Sequence, residues 1–424
     1  MRRQAVEWEG TLAEGGGATE VLVVGAGPVG LVAALSLAQQ GVRVRIVDEE
    51  RGPAARSYAL ALHPRSLRLL DTLGIAEELV GLGHRLDRAV FFERTERRAG
   101  VDFGKLRGPF PFALVLPQQT IEGALVRALS ARGVEIDWGT RLAEATTLRD
   151  GVVATLERLD PASSGRHTVR SVETAEISYV VGADGHRSRV RALCGARLED
   201  VAPHRLYTVF EFCGAAPQEN ELWVVLDGPI ATALWPVGPN RCRFSFQLDR
   251  WSEVAEPRAK SRLYPMLGNG YEAEVAHEDL RALVQRRAQW YRGKIGEVVW
   301  SSTVRFEIGV ADRFGHGRLW LCGDAAHLVD PIGVASMNVG LNEAHDLAAR
   351  LARLLREGGP PQLLTEYDEA CRREWRSLVG SDRGAQPCRD CDPWVEMHAG
   401  RLPECIPASG PDLAELLLQI GLEL

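Results

Sequence analysis

Asp324 stands in "LWLCGDAAHLVDPIGVASMNVG" (319–340), where an apolar strand stops and a Pro- and Gly-containing loop leads into a helix. An acid at a strand tip can accept hydrogen bonds from a polyol. A helix N-terminus aimed at the same place offers unpaired N–H groups and partial positive charge. The plainer alternative is a strand-to-helix connection in which Asp324 is a local cap. Asp48, at the end of "VRVRIVD", has the position of an acid that binds ribose hydroxyls. Asp184-Gly185 ends a third apolar run in "ISYVVGADGHRSRVRALCG" (177–195), ahead of a basic helical start. No Ser-His-Asp or paired-carboxylate arrangement stands out, so these residues point to holding a ligand that carries the chemistry itself.

The elements that must position them begin with a βαβ unit. Val21 to Val24 is an apolar run of strand length, followed by Gly25, Gly27 and Gly30 as G-x-G-x-x-G. Leu31 to Gln40 has helical period and Gly41 can end it. "VRVRIVD" then alternates as a strand. In such a unit the first glycine permits a tight turn, the second lets a pyrophosphate approach the backbone, and the third lets helix pack on strand. The helix N-terminus then faces the phosphates. This order implies a dinucleotide, against a βαβ unit that binds nothing, and does not choose between NAD and FAD.

Taken together, the three motifs resemble the flavin-dependent aromatic hydroxylase family typified by para-hydroxybenzoate hydroxylase, over about residues 20–380. The resemblance implies an α/β protein: a Rossmann-type FAD-binding domain, an interleaved and mostly antiparallel substrate domain, and C-terminal helices. It implies that Gly25, Gly27, Gly30 and Asp48 hold the ADP half of FAD. Asp184 and Gly185, with Arg187 nearby, match the motif associated with FAD and nicotinamide access. Gly323 and Asp324 match the motif whose Asp accepts from the ribityl hydroxyls. Pro331, Gly333, Met337 and Asn338 fall on the loop and helix start facing the isoalloxazine ring, with Pro331 and Gly333 near the ring and the chemistry left to the flavin. Gln118 matches a Gln near the pyrophosphate. A helix starting near Met337 would stabilise negative charge on reduced flavin.

The chain departs from the family pattern in three places. The family commonly has Pro-x-Gly-Gly-x-Gly-Met-Asn, and here Val334 and Ser336 replace two glycines. The loop either adopts ordinary backbone angles and still cradles flavin, or places it differently. "RSYALALHPRSLRLLDTLG" (56–74) resembles the segment that supplies an Arg near the flavin; Arg56 is the assignment, although by spacing from Arg65 the usual position falls nearer Tyr58. Arg65 reads equally as a solvated helix residue. Glu343 and His345 stand where relatives often have Asp and Asn, and both read as helix-surface residues.

The expected division is a flexible N-terminus (1–19), a discontinuous FAD domain (20–75, 110–200 and 305–345), a substrate domain (76–109 and 201–304), and C-terminal helices with a Cys-containing tail (346–424). Short alternating runs such as "RLYTVFEFCG" and "RCRFSFQL" predict the substrate-domain sheet. Of Phe210, Phe212, Trp223, Trp235, Phe244 and Phe246, one face should be core and the other could line a pocket. Residues 253–292 read as helix and loop, 342–356 as an amphipathic helix ended by "GGPP", 363–380 as a second helix, and the end of the chain as a short one. Cys388, Cys391, His398 and Cys405 could hold zinc, but one unmatched C-x-x-C is weak, and the expectation is reduced thiols and no metal. The 50 Lys+Arg against 57 Asp+Glu give a net charge of −7, with no reason to expect nucleic acid. With neither an apolar run of membrane length nor a secretory leader in view, the expected place is the cytoplasm, as monomer or homodimer.

The resemblance implies a monooxygenase that consumes NADH or NADPH and O₂. It would hydroxylate or epoxidise an electron-rich aromatic, polyketide-like or alkene substrate through a flavin C4a-hydroperoxide, with a flavin that moves between "in" and "out" positions. His63, His84, His204 and His327 are candidate bases only by their chemistry. The rivals are a flavin reductase or dehydrogenase that inserts no oxygen, and a flavin-binding protein that acts through a partner. A plain NAD dehydrogenase leaves Asp184-Gly185 and Gly323-Asp324 without a role.

Overall fold

Strand Val21–Val24 lies inside a six-stranded sheet ordered Gly315–His316, Leu319–Leu321, Tyr179–Gly182, Val21–Val24, Val44–Asp48, Ile136–Trp138. This computed structural model describes residues 19–53, 60–160, 168–249, 277–379 and 384–424. The expected N-terminal lead-in, Arg56 and most of 253–292 lie outside them. All neighbours in the sheet are parallel except the Gly315–His316 hairpin edge. Parallel strands are covered on both faces, which is why "VLVV" is apolar at every position and wholly buried.

Two helices flank the start of this sheet. Pro28–Gln39 opens with Pro28 in its first turn, where a missing N–H costs nothing. It packs on the long helix Ala335–Glu357, which begins two residues before Met337 and runs through the expected 342–356 segment. That helix ends at Gly358 in the left-handed conformation (φ 65°), whose N–H bonds back to Arg353 O, and Pro360-Pro361 cannot continue it. Helix Gln362–Leu378 follows. An antiparallel sheet of Thr140–Thr147, Val152–Asp160 and Thr168–Ile177 adds Val152, Ala154 and Leu156 to the same core.

The second sheet has seven strands, ordered Val298–Phe306, Arg205–Cys213, Arg241–Leu248, Ile230–Gly238, Glu221–Asp227, Arg88–Glu93, Glu96–Asp102. Its pairs are antiparallel except Glu221–Asp227 with Arg88–Glu93. Alternation divides its side chains between two cores. Phe210, Phe212, Phe244 and Phe246 pack with Leu280, Leu283 and Val284 of helix His277–Arg287. Tyr207, Val209, Val224 and Trp235 join the core of the parallel-sheet half. The four phenylalanines are thus core under a helix rather than pocket lining; Phe212 stacks on Phe244 at 5.6 Å and Phe210 meets Phe246 edge-on at 6.2 Å. The face turned to the parallel sheet carries Tyr207, Gln247, Glu211 and Arg243 instead.

The tail folds back onto the body. Helix Gly410–Leu418 is followed by Leu422–Glu423, which pairs with Gln386–Pro387. Arg68 reaches both oxygens of Asp412, at 2.8 and 2.7 Å, and Gln419 bonds both the N–H and the C=O of Asp102.

Candidate functional site

The tips of Val21–Val24, Val44–Asp48, Tyr179–Gly182 and Leu319–Leu321 bring three acids to one end of the parallel sheet. Gly25 takes a positive φ (102°), and a Cβ there would lie 2.2 Å from Ala183 O, so the turn and the neighbouring strand both require glycine. At Gly27 a Cβ would meet nothing within 4 Å. This open side faces the start of helix Pro28–Gln39, which has no side-chain cap and no acid in its first turn. Asp48 Oδ2 accepts from Ala26 N at 2.6 Å and Oδ1 from Glu50 N at 2.7 Å. Burial pushes this carboxyl up against the opposing pull of those two N–H groups.

Asp184 accepts from Ser188 Oγ (2.5 Å), Arg189 N (2.7 Å) and Val190 N (3.1 Å). Its carboxyl is raised by burial although these donors oppose it. Gly185 makes the turn with φ 73°, and Arg187 is exposed. Gln118 opens helix Gln118–Ser130, its Nε2 donating to Glu122 Oε1 at 2.7 Å.

Beyond Leu319–Leu321, Gly323 N donates to Glu343 Oε2 at 2.9 Å and Asp324 Oδ1 accepts from Ser336 Oγ at 2.5 Å. Asp324 is no local cap: the N-cap of helix Ala335–Glu357 is Val334, and that helix start has no side-chain cap and no acid. Val334 holds φ 52°, ψ 33°. A β-branched residue therefore keeps the left-handed geometry that glycine would take, at a strain of about 1–2 kcal/mol. Its 5% exposure shows what compensates: the side chain is in the core. Ser336 is not a passive replacement either, since its hydroxyl binds the acid.

The rest of the loop is braced from within the protein. Asn338 is fully buried; its Oδ1 accepts from His63 N (2.8 Å), and its Nδ2 donates to Ala61 O (2.9 Å) and Val334 O (2.8 Å). Met337 is buried and Pro331 half-buried. A Cβ on Gly333 would lie 2.4 Å from Glu404 O, so this glycine admits the tail. His63 Nε2 donates to Gly333 O at 2.8 Å.

Several groups escaped sequence reasoning. Glu343 is 4% exposed, not a helix-surface residue; its Oε1 accepts from Trp375 Nε1 at 2.7 Å and its Oε2 contacts His327 Nε2 at 2.8 Å. Its place seven residues after Ser336, two turns along the same helix face, was the available signal. His345 is half-buried against Ser36 Oγ (2.9 Å). Arg65 pairs with Glu374 at 2.5 Å. Asp330, next to Pro331, is buried among Arg205, Arg401 and Tyr207: Arg401 Nη1 lies 2.6 Å from Asp330 Oδ2 and Nη2 donates to Tyr207 Oη at 2.7 Å. Burial raises the Asp330 carboxyl, but Arg401 and Arg205 outweigh it and hold it below the ordinary range. Glu404 accepts from Arg205 at 2.7 Å and also from Arg401. Arg401 and Glu404 come from a tail with no periodic signal for such a role. No group of three or more metal-binding side chains is assembled among the described residues, and His398 instead faces Trp394 O at 2.8 Å.

The open Gly27 side, two uncapped helix starts and acids at the strand tips suit a dinucleotide with a polyol chain. A family described as FAD binding domain matches residues 18–381. The chain belongs to this FAD-binding family. It is the family of the class A aromatic hydroxylases. It is 32% identical to 6-methylpretetramide 4-monooxygenase of Streptomyces rimosus, over 82% of this chain and 58% of that one. It is 28% identical to pentachlorophenol 4-monooxygenase of Sphingobium chlorophenolicum, over 82% and 60%. The chain therefore spans about three fifths of the length of these relatives. Among solved structures, p-nitrophenol 4-monooxygenase PnpA of Pseudomonas putida DLL-E4 shares the fold, with a TM-score of 0.70 at 20% identity over 94% of this chain and 93% of that one.

Proposed function

We propose that this protein is an FAD-dependent monooxygenase that consumes NADH or NADPH and O₂ and oxygenates an electron-rich aromatic or polyketide-like substrate. The observation that carries this reading is the uncapped start of helix Ala335–Glu357 beside Asp324, at the tip of a buried parallel strand. Bound FAD would supply the electron transfer and oxygen activation. The chain's part is to bind, orient and exclude water.

Gly25, Gly27, Gly30 and the N-terminus of Pro28–Gln39 would hold the pyrophosphate, and Asp48 the ribose. Asp184, Gly185 and Gln118 would line the path between pyrophosphate and ring. Gly323 and Asp324 would receive the ribityl chain. Pro331, Gly333, Met337 and Asn338 would shape the ring's berth, Asn338 by bracing the loop through its three backbone bonds. Arg56 would add a cation near the phosphates. Residues 76–109 and 201–304 would form the substrate side. The names of the two relatives, which act on a polyketide and a phenol, support this substrate class. No helix among the described residues is long and apolar enough to cross a membrane. We further propose that the protein works in the cytoplasm as a monomer or homodimer.

The test is the absorbance spectrum of the purified protein, followed by NADH and NADPH oxidation in ¹⁸O₂ with a panel of phenols and polyketides. Flavin bands, ligand-stimulated oxidation and one labelled oxygen in the product are expected. Ligand-stimulated oxidation with an unlabelled product would replace the monooxygenase by a reductase or dehydrogenase on the same fold.

A further inference from the structure

Asp324, Ser336, His327 and Glu343 form a line of polar groups leading from the strand tip into the core. Ser336 Oγ lies 2.5 Å from Asp324 Oδ1 and 3.4 Å from His327 Nδ1, and His327 Nε2 lies 2.8 Å from Glu343 Oε2. Glu343 accepts N–H bonds on both oxygens, from Trp375 on Oε1 and from Gly323 on Oε2, the arrangement that suits a carboxylate. With Glu343 as a carboxylate, His327 Nε2 carries a hydrogen and donates to it. Two arrangements of the remaining protons satisfy every contact. In one, Asp324 is protonated and donates to Ser336, whose hydroxyl donates to a neutral His327 Nδ1. In the other, imidazolium Nδ1–H donates to Ser336, whose hydroxyl donates to the Asp324 carboxylate.

Moving between them takes one proton from Asp324 Oδ1 to Ser336 Oγ while the hydroxyl's own proton passes to His327 Nδ1. One O–H and one N–H bond form, two O–H bonds break, and no electrons are transferred. The 3.4 Å link is the long step, and closing it by about half an ångström gives an ordinary hydrogen bond. The imidazolium form has support on two sides: the Glu343 carboxylate, and the Trp375 ring stacked on His327 at 3.9 Å between centroids. A glycine at 336 would leave a gap in the line.

We propose that Ser336 is a positioning residue that relays one proton between Asp324 and the buried His327–Glu343 pair, and so sets whether Asp324 meets the cofactor's polyol chain as an acceptor. The proposal rests on the FAD reading of this site. The surrounding groups do not compete for the proton. The Cys322 and Cys371 thiols and the Tyr367 phenol are pushed far up, mainly by burial, and stay neutral. Asp184 lies beyond Cys322 and is engaged by its own three donors. Arg191 approaches from helix Arg189–Leu193 and donates to Ala325 O at 2.8 Å, a fixed cation on the strand-tip side. His345 and Asp346 share the helix with Glu343 but are directed to Ser36 and Arg350. Asp324 itself is raised by burial, with Ser336 and His327 acting against that rise.

The experiment is FAD titration of the apoprotein, read by fluorescence quenching from pH 5 to 9, for wild type, Ser336→Ala, His327→Gln and the double variant. Affinity should fall at low pH as Asp324 stops accepting. Each single variant should move that transition up by about one pH unit, a Kd about fivefold weaker at the wild-type midpoint and approaching tenfold at lower pH, and the double variant should move it no further. Ser336→Thr, which keeps the hydroxyl, should titrate like wild type. A wild-type midpoint in His327→Gln, or shifts that add in the double variant, would reduce Ser336 to an isolated hydrogen bond and overturn the relay. If His327→Gln does not fold, a Ser336→Thr profile matching Ser336→Ala overturns it equally. Wild-type protein that binds no FAD at any pH would sink the cofactor reading as well, whereas parallel profiles with tight FAD sink only the relay.

Discussion

Acidification should loosen this protein through His63. Its ring is fully buried, with Nε2 on Gly333 O at 2.8 Å and Nδ1 3.4 Å from Ser409 Oγ. Burial, with help from the nearby Arg65 charge, lowers the imidazole to about 3. In the unfolded chain the same group titrates near ~6.5. A folded-state value below the unfolded one means that the folded form resists the proton. The stability it contributes is whole above about pH 6.5 and is lost as the pH falls towards 3. Between pH 7 and pH 5 this group alone should remove about 2 kcal/mol. His186, lowered to about 4 by burial and by Arg187 and Arg191, acts in the same window. The informative quantity is therefore the difference between wild type and His63→Gln, whose amide can still donate to Gly333 O but does not titrate. Urea unfolding, followed by tryptophan fluorescence at pH 7, 6 and 5, gives both slopes. The variant should start less stable at pH 7 and lose about 2 kcal/mol less on the way to pH 5. Equal losses in the two proteins would refute the reasoning and mean that folded His63 accepts its proton as readily as the unfolded chain.

Other substitutions test other contacts. Arg401→Met leaves Asp330 and Glu404 sharing Arg205 and should cost about 3 kcal/mol; adding Asp330→Asn restores the charge balance, so the double variant should lose clearly less than the sum in chemical denaturation. Val334→Gly relieves about 1–2 kcal/mol of left-handed strain but forfeits a buried side chain worth about 2 kcal/mol. It should therefore lower stability by only about 1 kcal/mol by thermal unfolding, and a loss above about 3 kcal/mol would mean that the strain is absent. Asp48→Asn should weaken FAD binding at least tenfold in an apoprotein titration while leaving the six-stranded sheet intact by circular dichroism; unchanged affinity would remove Asp48 from the site.

Much of the architecture was legible because it is local. The run Val21–Val24, the three glycines after it and Asp48 lie within 28 residues (21–48) and fold as read. The two later strand tips were equally plain, since apolar runs stopped by Asp-Gly or Gly-Asp need no distant partner to be recognised. Alternation also foretold the strands around the phenylalanines, but not which face they would occupy. A period of two assigns side chains to opposite faces and says nothing of what lies on either. Helix His277–Arg287 decided that, and it made the phenylalanine face a core.

The sequence by itself determined the nature of the candidate site: glycine turns, strand-tip acids and helix starts, each dictated by backbone geometry within one motif. Only the tertiary structure decided what surrounds it. Glu343 looked like a surface residue until Trp375 and His327 closed over it. Gly333 turned out to admit Glu404 from 71 residues downstream. Ser336 acquired its purpose from Asp324 and His327, one on each side of its hydroxyl. Burial, and the pairing that burial enforces on charged and polar groups, comes from contacts between segments far apart in the chain, and no spacing within a motif encodes it.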